Sequence, residues 1–262
     1  MAYEFSHAIV RAPGETAVHG LRAHDGPGPT YSGLLNEHRA YVAALRGAGV
    51  EVVELPPLEA FPDSMFVEDP AFVHGDTAIV LRPGAASRVE EAERLTPTLF
   101  QNFRQVLRVQ QGFCDGGDVL VLRDRVMIGL SNRTDRAGAT ALAALLDEFG
   151  LASEIVAPPP GVLHLKTACS LVDEETVTVT PELDESGIFD GLCRIVVPED
   201  EAPAANVLRV NQVLLANAQF PHTLDLLDRH GARLAPLDTR EINRIDAGLS
   251  CMSLRWLRPA VR

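Results

Sequence analysis

Cys251, close to the C-terminal end in Asp246-Ala247-Gly248-Leu249-Ser250-Cys251-Met252-Ser253, is a candidate nucleophile. His164 is a candidate proton carrier, and Asp115 in Asp115-Gly116-Gly117-Asp118 is a carboxylate able to orient it. A thiol, an imidazole and a carboxylate are the three parts that a cysteine hydrolase combines. They stand far apart in the chain, so this chemistry depends on a fold that brings them together.

A repeat supplies such a fold. Segments 66–81 and 113–130 share one order: an acidic residue, a short apolar strand, a polar turn and a second apolar strand. Each continues through a polar loop holding an arginine, Arg88 or Arg133, into a helix-like stretch. After Arg133 the residues Ala141, Leu142, Leu145 and Leu146 keep helical spacing up to a stop at Gly150. The order recurs with His164 leading a strand over 165–172, a turn at Asp173-Glu174-Glu175 and a strand over 176–179. It recurs again with Asn206 leading strands over 207–210 and 213–216, then a helix-like 224–229. Cys251 leads a fifth strand with no hairpin partner after it, and the N-terminal His7-Ala8-Ile9-Val10-Arg11 can supply one.

Asp69, Asp115, His164, Asn206 and Cys251 thus fall at intervals of 46, 49, 42 and 45 residues. A period of this length with several strands per unit marks a radial repeat closed like a propeller. It predicts one domain over residues 1–262 with five repeats, the ring closed by the N-terminal strand joining the C-terminal unit. Five strand-start residues would then share one axis. An ordinary α/β sandwich is the alternative.

Composition narrows the partners. Hydrophobic residues make up 46% of the 262, enough for a sizeable core. Lys plus Arg number 23 against 36 Asp plus Glu, a formal charge of −13 that repels nucleic acid and anionic membrane and favours a small cationic ligand. No apolar run approaches the ~20 residues that span a bilayer, and Met1-Ala2-Tyr3-Glu4 lacks the basic start of a signal peptide. Four cysteines with no Cys-x-x-Cys pair make neither a disulfide framework nor a metal-ligand spacing, so a reducing cytoplasm and no metal are expected. Gly116-Gly117 belongs to no nucleotide-loop pattern.

Further motifs lie along nearly the whole chain: Arg11-Ala12-Pro13, Pro62-Asp63-Ser64-Met65-Phe66-Val67-Glu68-Asp69, Ser87-Arg88, Asp115-Gly116-Gly117-Asp118, Ser131-Asn132-Arg133, Leu163-His164-Leu165-Lys166, Ala205-Asn206 and the Cys251 segment. In these the chain resembles the dimethylarginine dimethylaminohydrolases (dimethylargininases) of the guanidino-group modifying superfamily, which also holds arginine deiminase, agmatine deiminase and the amidinotransferases. The resemblance implies a five-bladed, pseudo-symmetric α/β propeller of ββαβ units. It implies Cys251 as nucleophile, His164 as general acid and base, and Asp115 as the carboxylate orienting the histidine. By the same resemblance Asp63, Glu68 and Asp69 lie near the substrate, Arg88 and Arg133 grip its α-carboxylate, Leu21 sits on a loop over the site, and Ile245 offers a backbone contact.

The chemistry suits these residue types. A guanidinium carbon shares charge with three nitrogens and is a poor electrophile. Hydrolysis needs carboxylates to fix the cation, a strong nucleophile, and an acid for the departing amine. A free cysteine titrates near pH 8.5, and surrounding carboxylates push it higher, so activation on binding a cation is expected. Blander readings stay open: a buried filler for Cys251, a core histidine for His164, solvated loop charges for Asp63, Arg88 and Arg133. Cys114, Cys169 and Cys193 read as filler.

The expected activity is hydrolysis of Nω-methylated arginine to citrulline and a methylamine through a covalent thiouronium, with no cofactor. The alternatives are a deiminase of free arginine releasing ammonia, and a non-catalytic binder of guanidino compounds or of a metal. A homodimer is left open.

Overall fold

The computed structural model describes residues 2–23 and 26–258. The chain opens with β1 (His7–Arg11), helix α1 (Tyr31–Gly47) and β2 (Glu51–Leu55). A first ββαβ unit follows as β3 (Ala71–His74), β4 (Thr77–Val80), α2 (Val89–Asn102) and β5 (Gln105–Arg108). The next comprises β6 (Val119–Val121), β7 (Val126–Gly129), α3 (Arg136–Glu148) and β8 (Ser153–Val156). Then come β9 (Cys169–Leu171), β10 (Thr176–Val179), α4 (Pro181–Glu185) and β11 (Cys193–Val196). The last full unit is β12 (Leu208–Val210), β13 (Val213–Asn217), α5 (Pro221–Arg229) and β14 (Leu234–Leu237), after which α6 (Arg240–Asn243) leads to β15 (Leu254–Trp256).

These strands form five three-stranded sheets, the blades of an α/β propeller. In each, the middle strand runs antiparallel to one neighbour and parallel to the other. The parallel pair needs a crossover, which the helix of each unit provides. In the fifth sheet β1 takes the middle place, pairing antiparallel with β15 and parallel with β2.

Burial explains the strand sequences. The middle strands β4, β7 and β10 are buried at every residue, because both faces are covered, and so they read as continuous apolar or threonine runs. The outer strands β2, β5 and β11 are partly exposed and carry Glu, Gln and Arg. Asp135 caps helix α3, its carboxylate accepting the Gly138 N–H at 2.7 Å, and the helix packs Ala139, Leu142 and Leu146 against the second blade. No helix among the described residues is long and apolar enough to cross a membrane.

One expected strand is corrected. Residues 165–172 do not run as one strand: Leu165–Thr167 form a 3-10 turn and β9 starts only at Cys169. Polar side chains capture the backbone groups that a ladder would use. Thr167 Oγ1 bonds the His164 carbonyl at 2.6 Å, and the Leu165 N–H goes to Asp118 Oδ1 at 2.8 Å. Comparable 3-10 turns at Gly116–Asp118, Glu199–Ala205 and Ser250–Met252 precede β6, β12 and β15.

Candidate active site

The five residues picked out by the repeat all lie just before the first strand of a blade, and hydrogen bonds join their segments in a closed circuit. The Glu68 N–H donates to the Cys251 carbonyl at 3.2 Å, tying the β15 blade to the β3 blade. Gly116 and Gly117 donate to the carbonyl and to Oδ1 of Asp69, each at 3.0 Å, tying β3 to β6. Asp118 takes the Leu165 N–H, and Asp115 Oδ2 lies 3.0 Å from His164 Nε2, tying β6 to β9. Asn206 Nδ2 donates to the Lys166 carbonyl at 2.7 Å and its Oδ1 accepts the Ser250 N–H at 3.0 Å, closing β9 to β12 to β15.

Asp115 is fully buried, and its second oxygen accepts the Gly84 N–H at 2.7 Å, which fixes the carboxylate facing the imidazole. Gly117 must be glycine, since a Cβ there would stand 2.7 Å from His164 Nδ1 and 2.9 Å from Asp69 Oδ1. Burial alone would lower the His164 pKa, but Asp69, the Asp115 hydrogen bond and Asp118 outweigh it and raise it to about 9. At neutral pH the imidazole is therefore cationic and can donate a proton from either nitrogen.

The thiol is shifted the same way with the opposite consequence. Burial first, then Glu68 and Asp69, push Cys251 up to about 12, against a backbone hydrogen bond from Gly248 and the charge of Lys166. Cys251 is thus a neutral thiol until something offsets its burial and those carboxylates.

The expected substrate-binding residues divide into three sets. Glu68 Oε1 pairs with Lys166 Nζ at 2.6 Å and with Arg255 Nη2 at 2.9 Å, while its buried Oε2 has no partner among the described residues. Burial works to raise the Asp69 carboxyl, but its ion pair with Arg88 and the nearby His164 hold it below the usual range. Asp63 is raised, by burial foremost, and takes the Leu21 N–H at 2.9 Å. Leu21 is exposed and Ile245 buried.

The two arginines differ. Arg88 is buried and already bonded to Asp69, Glu91 and the Asp63 and Phe66 carbonyls, which leaves one Nη1 N–H uncommitted among the described residues. Arg133 is half-buried, its side chain makes no hydrogen bond or ion pair among the described residues, and its charge lowers the Asp63 pKa.

Sequence reasoning gave no role to Lys166, Arg255 or Asp118, and none to Asn206 beyond its place in the repeat. Lys166 carries a signal in hindsight, as the only lysine of the chain. Asp69, Asp115 and His164 could reach a single ion, their ligand atoms lying within 4.8 Å of one another, but each already has a partner: Asp69 with Arg88, Asp115 with His164. A cavity of about 850 Å³ reaches Glu68, Gly116, Lys166 and Ser250 without touching Cys251, His164 or Asp115.

Comparison with known proteins yields consistent relatives. The family model for arginine deiminase matches residues 94–218. A protein of Pseudomonas aeruginosa named N(G),N(G)-dimethylarginine dimethylaminohydrolase is 37% identical over 254 residues, covering 96% of this chain and 100% of that one. A Streptomyces coelicolor protein of the same name is 33% identical, covering 95% and 96%. Among solved structures, a cysteine-to-serine mutant of the Pseudomonas aeruginosa enzyme complexed with citrulline superposes with a TM-score of 0.93 at 36% identity, covering 97% of this chain and 100% of that one. The N-terminal domain of ArgZ, a cyanobacterial arginine dihydrolase, shares the fold with a TM-score of 0.86 at 17% identity, covering 97% and 99%.

Proposed function

We propose that this chain, which belongs to the dimethylarginine dimethylaminohydrolase family, hydrolyses Nω-methylated arginine to citrulline with Cys251, His164 and Asp115 as its catalytic residues. The observation that carries the assignment is the pairing of a cationic histidine with a fixed carboxylate, in one hydrogen-bonded circuit with the backbone of a buried cysteine.

The guanidinium enters the carboxylate cluster of Asp63, Glu68 and Asp69, where Oε2 of Glu68, unpartnered among the described residues, accepts from it. Its positive charge offsets Glu68 and Asp69, and the thiol releases its proton to water. The thiolate then attacks the guanidinium carbon, forming the S–C bond. Protonated His164 gives its proton to the departing nitrogen, the C–N bond breaks and dimethylamine or methylamine leaves, with a thiouronium remaining on Cys251. Neutral His164 next takes a proton from water, the C–O bond forms, and the C–S bond breaks as the new hydroxyl becomes the citrulline carbonyl, its proton passing to the departing sulfur to restore the thiol. His164 ends protonated, as it began.

Arg133 meets the α-carboxylate, assisted by the remaining N–H of Arg88, while Leu21 and the Ile245 backbone flank the substrate. The chain acts as one catalytic domain in the cytoplasm, on a small cationic amino acid.

A second reading, deimination of free arginine, is favoured by the match to the arginine deiminase family model. Incubation of the wild type and Cys251→Ser with asymmetric dimethylarginine, monomethylarginine and arginine separates them. Citrulline with equimolar dimethylamine from the wild type alone is the expected result. Ammonia from arginine alone assigns a deiminase, and no turnover of any of the three refutes both readings.

A further inference from the structure

We propose that Asn206 is the positioning residue that sets the Cys251 turn against the His164 turn. The inference rests on the catalytic reading above. Asn206 occupies the same place before its blade as Asp69, Asp115, His164 and Cys251, yet it brings no titratable group to the axis. Its side chain is spent on its neighbours. Nδ2 donates to the Lys166 carbonyl at 2.7 Å and to Ser250 Oγ at 3.1 Å, and Oδ1 accepts the Ser250 N–H at 3.0 Å.

Lys166 lies two residues after His164 and Ser250 one before Cys251, so one amide spans the acid and the nucleophile. The residue is 3% exposed, so water does not compete for these bonds. An amide suits the place because it offers two donors and an acceptor without charge. A carboxylate would lose both donors and add one more negative group beside a thiol already raised by Glu68 and Asp69.

Gly248 gives an independent observation. A Cβ built there would stand 2.4 Å from Asn206 Cγ and 2.5 Å from its Oδ1, so the chain keeps a glycine where the amide presses on the Cys251 turn. The same glycine accepts the Cys251 N–H at 3.3 Å and supplies the backbone hydrogen bond that favours the thiolate. The amide therefore fixes both where the sulfur points and what solvates it. None of its partners belongs to the residues assigned to hold the guanidinium or the α-carboxylate.

Two variants test this by opposite routes. Asn206→Leu removes the bonds at nearly constant volume, and Gly248→Ala keeps the amide but pushes it off its seat. Both are assayed for citrulline from dimethylarginine beside the wild type, with melting followed for each. The expected result is kcat lower by about 10²-fold in both, the cost of misplacing a reacting group by about 1 Å. KM stays within about threefold, since the binding groups are untouched. The double variant loses less than the product of the single losses, because both act through one contact.

If Asn206→Leu fails to fold, Gly248→Ala decides alone. Wild-type kcat in either variant overturns the proposal, as does a loss no larger than the drop in folded fraction or the failure of both to melt cooperatively, which would mark a structural role only. An inactive wild type instead overturns the catalytic reading, and the inference with it.

Discussion

The turns before the third and fifth blades are one backbone device put to two uses. Leu165–Thr167 and Ser250–Met252 are both short 3-10 turns, and the residues they present to the axis, His164 and Cys251, are both buried and both feel the charge of Asp69. Burial and the carboxylates together raise the proton affinity of the cysteine, while the carboxylates raise that of the histidine against its burial. For the histidine that stabilises the charged form, at about 9; for the cysteine it stabilises the neutral form, at about 12. In the proposed mechanism the acid is ready before substrate arrives and the nucleophile is not. Burial and a cluster of carboxylates keep the thiol neutral, and in that mechanism a bound cation offsets them.

Deleting either side chain has the largest expected effect. Cys251→Ser is expected to lower citrulline formation by about 10⁴-fold or more, and His164→Asn by about 10³-fold, the usual worth of a general acid and base. Steady-state assays at pH 7 check both, and activity within tenfold of the wild type would remove either residue from the mechanism.

A sharper probe is Asp69→Asn, which takes away the carboxylate that both turns feel. Both pKa values should fall: turnover drops by about 10²-fold as the cation loses a partner and the acid its charge. Alkylation of Cys251 by neutral iodoacetamide becomes several times faster than in the wild type. Opposite movement of the two rates is the diagnostic, and parallel loss would show that Asp69 does not act on the thiol.

Stability should follow pH through His164. Its folded pKa lies above the ordinary histidine value of 6.5, so its stabilisation is complete below about pH 6.5 and is lost as pH rises through about 9. Over that window the loss comes to about 3 kcal/mol, read as a falling melting temperature between pH 7 and 9. His164→Asn should flatten that slope. The smallest effect expected is from Lys166→Met, which leaves Glu68 with Arg255 alone and removes a charge that favours the thiolate. Alkylation of Cys251 should slow by about two- to fivefold, with little change in melting.

Much of this was legible because the repeat is written in local terms. Buried middle strands such as Thr176–Val179, polar turns such as Asp173–Glu175 and helix spacing at Leu142 and Leu146 all follow from sequence-near contacts. Equal spacing then placed Asp69, Asp115, His164 and Cys251 together. The 3-10 turns were not legible, since Leu165-Lys166-Thr167 looks like a strand start until Asp118, 47 residues away in sequence, takes the Leu165 N–H. The engagement of Arg88 was hidden for the same reason: its partner Asp69 is 19 residues distant, and nothing local separates a committed guanidinium from the uncommitted one of Arg133.

The central claim is that substrate charge activates Cys251. The rate of Cys251 alkylation at pH 7 by neutral iodoacetamide and by a cationic chloro-substituted amidine, each normalised to its rate with free cysteine, tests it most directly. Activation by charge gives a normalised rate at least about tenfold higher for the cation, abolished by excess dimethylarginine. Equal normalised rates, or a neutral-reagent rate already that of a full thiolate, would contradict it.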